Sequence, residues 1–143
     1  MCIFSILLLV SCGTNEPAKL KNGETYTYYG GMELTVEKGD TYQRENFGEI
    51  YTFTAIKLRY ENKSNRNIIT LTDFQIEDEN GKINKNREPL PSGYRWNINV
   101  KEIEPAEYSP GSVAEGYVVF KGDARSITLT DNWHKDLATW TFI

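Results

Sequence analysis

Beyond residue 24 the chain alternates apolar and polar positions in short runs. No stretch keeps apolar residues at the i, i+3, i+4, i+7 spacing of a helix over three turns. Leu34 and Val36; Ile56, Leu58 and Tyr60; Phe74 and Ile76; Val118 and Phe120; and Ile127 and Leu129 recur at every second position. A strand places such sets on one face, so each predicted sheet has a dry face and a wet one. The runs cover residues 25–29, 32–37, 50–60, 68–72, 74–77, 96–100, 113–120, 126–130 and 139–143. This predicts an all-β chain of about eight or nine strands. Tyr51, Phe53 and Ala55 have the opposite parity to Ile56, Leu58 and Tyr60, which predicts a β-bulge near Ala55 that switches the inward parity. Asp78-Glu79-Asn80-Gly81 and Ser109-Pro110-Gly111 carry the residues of tight turns, and hairpins joined by such turns close into a two-sheet antiparallel β-sandwich.

Three segments then resemble a bacterial extracellular lipoprotein domain of unknown function. The strand 51–60 runs into Glu61-Asn62-Lys63-Ser64, similar to that domain's hydrophobic strand ending in an Asn turn. Residues 74–82, Phe-Gln-Ile-Glu-Asp-Glu-Asn-Gly-Lys, are similar to its Phe-x-Leu-x-Asp-x-x-Gly-Lys hairpin, with Ile76 in place of Leu. Ser109-Pro110-Gly111 followed by Gly116-Tyr117-Val118-Val119-Phe120 resembles its Pro-Gly turn and Val-Val-Phe strand. The resemblance implies an immunoglobulin-like, telokin-like sandwich on the outside of the cell. It implies no catalytic residues, because that domain has no common activity.

The first twelve residues change the picture most. Ile3-Phe4-Ser5-Ile6-Leu7-Leu8-Leu9-Val10 is uncharged and apolar, too short for a membrane helix of about 20 residues and suited to the core of an export signal. It lacks the Lys or Arg that normally opens such a signal. Leu9-Val10-Ser11-Cys12 resembles a lipobox, which implies cleavage before Cys12 and a diacylglyceryl group on its thiol. The expected organisation is a signal peptide at 1–11, a lipidated Cys12 with a flexible tether at 12–23, and one sandwich domain at 24–143. The implied location is the bacterial cell envelope, lipid-anchored and facing out of the cytoplasm. Cys2 leaves with the leader, so no intrachain disulfide is expected.

Charge and chemistry narrow the function further. With 143 residues and a formal net charge of -4, the chain has neither the length for separate cofactor and substrate domains nor the basic patch of a nucleic-acid binder. It has one histidine, His134, so any metal site would need mixed ligands such as Asp131, His134 and Asp136. A polar turn with His134 exposed is the simpler reading. Aligning Gly81 with the glycine of a calcium loop leaves Ile76 and Arg87 at ligand positions, so the Asp78 turn fails as an EF-hand. No Gly-x-Ser-x-Gly and no phosphate loop is present. The expectation is therefore a chain without enzymatic activity or cofactor.

The segment from Asn84 to Trp96 is Pro-rich, then aromatic and basic, and holds the candidate binding residues Tyr94, Arg95 and Trp96. Their flat or cationic groups suit a protein interface, or stacking on a sugar ring. Alternation turns at least one of the two aromatics inward. Tyr26, Tyr28 and Tyr29 are expected on an edge strand, and Trp133 and Trp140 at the closed bottom of the sandwich. Taken together, the sequence reads as an anchored envelope module that binds another envelope or extracellular protein, with glycan or cell-wall binding as the alternative.

Overall fold

The computed structural model describes residues 16–85 and 96–142, and within them the chain is a β-sandwich. Eleven strands form: β1 (Ala18–Lys21), β2 (Thr25–Tyr28), β3 (Met32–Asn46), β4 (Glu49–Asn62), β5 (Ile68–Ile69), β6 (Asp73–Glu77), β7 (Ile83–Lys85), β8 (Glu107–Tyr108), β9 (Val113–Lys121), β10 (Ser126–Thr130) and β11 (Asp136–Thr141). One sheet has the order β1-β11-β10-β6-β7 and the other β2-β3-β4-β9, while β5 and β8 form a small ribbon. The two-sheet β-sandwich expected from the alternation is present.

The details differ in four places. The count exceeds eight or nine, because three short strands (β1, β7 and β8) lack an apolar alternation long enough to read. Lys19 and Lys21 make β1 look like a tether, yet Ala18–Lys21 pairs in parallel with residues 138–141, and Leu20 packs against the core. The ordered domain therefore begins inside the span expected to be flexible, and one pairing is parallel rather than antiparallel. Residues 96–100 are not a strand, since Asn97 takes a left-handed φ of 56° that interrupts extended pairing. They lie instead on the outer face of the four-stranded sheet.

The bulge near Ala55 forms, but in the partner strand. β4 pairs with β9 in unbroken register from Phe53↔Lys121 to Glu61↔Val113. Against β3, however, the register shifts between Lys38 and Thr41, so Gly39 and Asp40 both oppose Ala55. It is β3 that changes parity: Leu34 and Val36 face the core, whereas Tyr42 joins Tyr51 and Phe53 on the outside. β4 keeps its parity and, from Phe53 to Ile56, is buried on both faces.

Between the sheets, Met32, Leu34, Ile56, Leu58, Tyr60, Phe74, Ile76, Ile127, Leu129 and Trp140 are completely buried. The polar groups inside this core are paired. Tyr60 donates its hydroxyl to the Leu71 carbonyl at 2.8 Å, and the Leu71 N–H donates to the Tyr28 hydroxyl at 3.0 Å. Buried Asn62 donates to the carbonyls of Arg66 and Tyr108 and accepts from the N–H and hydroxyl of Ser64. All its amide capacity is used, which makes it the fastening point of the strand end that the sequence marks as an Asn turn. Trp140 donates its indole N–H to the Glu24 carbonyl at 2.8 Å, tying the last strand to the start of β2. β2 is an edge strand, as its tyrosines suggest, and Tyr28 reaches into the core.

Candidate functional site

The four-stranded sheet carries a feature the apolar pattern does not reveal. β3 and β4 run on past the end of β9 as a two-stranded arm, closed by Phe47 and Gly48 with φ of 51° and 79°. Two positive φ values at a two-residue loop match the right-handed twist of a hairpin, and Gly48 takes its conformation at no steric cost. Phe47 does not: a left-handed phenylalanine is strained, and its side chain is 98% exposed, with no packing to offset the strain. Glu45 and Glu49 flank it, and Ile50, 68% exposed, follows on the strand.

Beside the arm, residues 96–100 form a strap over the outer face of the sheet, and residues 101–103 continue along the edge at β9, where Ile103 joins the core between the sheets. Trp96 packs on Phe53 with ring centroids 4.8 Å apart and on Tyr51 at 5.3 Å, while Ile98 is buried with Phe53, Ala55 and Val119. Arg44 holds the strap to the arm: its Nε donates to the Trp96 carbonyl at 3.1 Å and its Nη2 to the Asn97 carbonyl at 3.2 Å. At the other end, Tyr117 N–H donates to the Lys101 carbonyl and Ile103 N–H to the Tyr117 carbonyl, at 2.7 and 3.2 Å. Gly116 permits this approach, since a Cβ there would sit 2.7 Å from the Ile103 nitrogen. A cleft of about 370 Å³ opens between strap and arm, lined by Arg44, Glu45, Asn46, Trp96 and Asn97. A second, of about 420 Å³, separates Ile50 and Thr52 of the arm from Asp78, Asn80 and Lys82 of the β6–β7 turn.

Of the sequence-named binding residues, Trp96 lines the first cleft but spends much of its surface on Phe53 and Tyr51. Tyr94 and Arg95 lie outside the described residues, as does the lipidation candidate Cys12. The Asp131 set does not assemble as a ligand group. Asp131 Oδ1 accepts the N–H groups of Trp133 and Lys135, both at 2.9 Å, and Asp136 accepts from the Thr130 hydroxyl. His134 sits at φ 64° on the exposed turn, and among the described residues no three His, Cys, Asp or Glu side chains come together as a metal site. Asp78 likewise turns its carboxylate onto the N–H groups of Asn80 and Lys82, shaping the hairpin. Trp133 does not close the sandwich as expected: it is 87% exposed on this turn, whereas Trp140 is buried.

The apolar pattern does not show the arm, because residues 38–46 are mostly polar and a strand outside the core has no apolar alternation. Its one signal is Asn46-Phe47-Gly48, where the glycine suits a short hairpin loop.

This is the architecture of a β-sandwich, and solved structures share it. A secreted protein from Mycobacterium tuberculosis, MPT63, superposes with a TM-score of 0.60 at 11% identity, covering 90% of this chain and 99% of that one. An uncharacterized β-sandwich protein from Clostridium difficile 630 superposes at 0.50 with 8% identity, covering 94% and 98%. Identities this low establish a common fold and no more. No protein-family model matches the chain, and neither does any curated protein sequence.

Proposed function

We propose that this chain is a lipid-anchored protein of the bacterial envelope, facing out of the cytoplasm, that acts without catalysis as a protein-binding module. The observation that carries the reading is Phe47, a strained and exposed aromatic at the tip of a projecting arm. Exposed aromatics of this kind are the usual anchors of protein interfaces. With Glu45 and Glu49 beside it, the tip suits an apolar pocket with a basic rim on the partner. The leader and Leu9-Val10-Ser11-Cys12 support export and anchoring, and the mycobacterial neighbour is itself described as secreted. The reading without catalysis draws on His134, whose neighbouring carboxylate Asp131 is engaged by backbone donors.

A photo-crosslinking residue in place of Glu45, used in living cells, tests this directly. A discrete crosslinked protein that disappears in the Phe47→Ala background is expected. An arm that captures nothing above the level of a probe placed on the Thr139 face would sink the reading. The glycan alternative draws on the cleft beside Trp96; cell-wall oligosaccharides that raise the melting temperature of the wild type but not of Trp96→Ala would replace the protein-binding proposal with it.

A further inference from the structure

We infer that the end of the sandwich opposite the arm is a lipid-facing surface, with Trp133 as the side chain that enters the membrane interface. The inference rests on the anchored reading above.

The topology places this end. β3 runs toward the arm tip and β4 away from it, β10 starts near the arm and ends at Thr130, and the turn 131–135 then leads into β11. β1 runs parallel to β11 with Ala18 opposite Ala138, so the chain enters the domain beside that turn. From Cys12 to Ala18 is six residues, which span roughly 20 Å at full extension. A lipid on Cys12 therefore keeps the turn close to the bilayer and points the arm away from it.

The turn is built to present its indole. Asp131 Oδ1 accepts two N–H groups, Asp131 N–H donates to the Lys135 carbonyl and His134 N–H to the Asp131 carbonyl, at 2.9 and 3.1 Å. This fixes the backbone while Trp133 stays 87% exposed. The acidic side chain is directed onto the backbone, and Lys135 follows the indole two residues along the same turn. The same end carries further exposed apolar side chains: Tyr29 after β2, Ile69 in β5, and Val113 where β9 starts opposite Glu61. Arg66 lies there too, donating to the Tyr29 carbonyl at 2.7 Å. Trp and Tyr with neighbouring cations are the side chains that favour the headgroup region.

The test uses the mature chain purified from membranes and placed in vesicles of phosphatidylethanolamine and phosphatidylglycerol whose acyl chains are brominated near the glycerol. Bromine quenches nearby indoles. Trp140 is buried and Trp96 packs on the far side of the arm sheet, so quenching is expected in the wild type and its loss in Trp133→Phe, with both proteins still in the membrane fraction. Intact mass reports Cys12 independently. A diacylated mass with equal quenching in the two proteins overturns this inference alone; an unmodified Cys12 overturns the anchored reading and this inference with it.

Discussion

Around Ala55, β4 is buried on both faces by different means. Its even positions, Ile56, Leu58 and Tyr60, are covered by a whole second sheet, in a cluster that draws on β2, β3, β6, β9, β10 and β11. Its odd positions, Phe53 and Ala55, are covered by one strap, residues 96–100, held through Arg44 at one end and at the other by the backbone bonds of Lys101 and Ile103 to Tyr117. Opening the inner face means separating the sheets, so its burial is coupled to the whole fold. Opening the outer face means lifting one segment, which breaks few contacts and leaves the sandwich standing. Stability and adaptability are thus divided between the two faces of one strand, and the arm, which borders the strap, belongs to the adaptable side.

Substitutions break or sharpen this contrast. The largest effect is expected for Trp140→Ala, which empties a fully buried site and removes the bond to Glu24; a loss of about 3–5 kcal/mol in denaturant unfolding is expected. Next comes Asn62→Ala, which leaves the Arg66 and Tyr108 carbonyls and the Ser64 donors without their partner and costs about 2–3 kcal/mol. Both should lower global stability, because both lie on the inner side.

Alkali probes the same side without mutation. Burial raises the Tyr28 and Tyr60 hydroxyls above the ordinary tyrosine pKa of 10.0. Below pH 10 these side chains are neutral in both the folded and unfolded chain, and their contribution is complete. Above it the unfolded chain loses protons that the folded one keeps, so stability falls by about 1.4 kcal/mol per pH unit for each tyrosine. Unfolding titrations above pH 10 should show this slope, reduced in Tyr60→Phe. An unchanged slope would mean these hydroxyls ionise without unfolding.

The outer side should respond more mildly. Trp96→Ala is expected to cost about 1–2 kcal/mol and to speed hydrogen exchange at the Tyr117 N–H, which bonds the Lys101 carbonyl, with β6, β10 and β11 unaffected. Uniformly faster exchange across the inner core would show that the two faces are one cooperative unit. The smallest effect is at the arm tip: Phe47→Asn, a residue at ease in the left-handed region, should raise stability by about 1 kcal/mol while abolishing the arm's crosslink.

Much of this arrangement is visible before folding. Leu34, Val36, Ile56, Leu58, Phe74, Ile76, Ile127 and Leu129 announce their faces by period two, and each is buried where the period puts it. The Asp78 and Pro110 turns form at Asp78-Glu79-Asn80-Gly81 and Ser109-Pro110-Gly111, with Gly81 and Gly111 at positive φ. Trp96 reads as a residue of the core or of a contact surface; it packs on Phe53 and Tyr51 and lines a cleft. Trp133 does not follow the rule that an indole belongs inside, and neither Phe47 nor the arm is visible to a search for apolar alternation.

Local chemistry explains the division. Whether a residue alternates, turns or breaks a helix depends on its own side chain and its immediate neighbours, so strand identity and the all-β class were already determined in the amino-acid order. Which of two parities faces the core, whether a polar strand is extended by its partner, and which end of the sandwich receives the chain depend on residues far apart in sequence. Gly39 and Asp40 meet Ala55, Arg44 meets Trp96, and Ala18 meets Ala138 only when both sheets are assembled. Tertiary structure alone therefore decided which strand carries the bulge, the strap, the arm and the two unlike ends, because pairing energies between distant segments are not carried by any one segment.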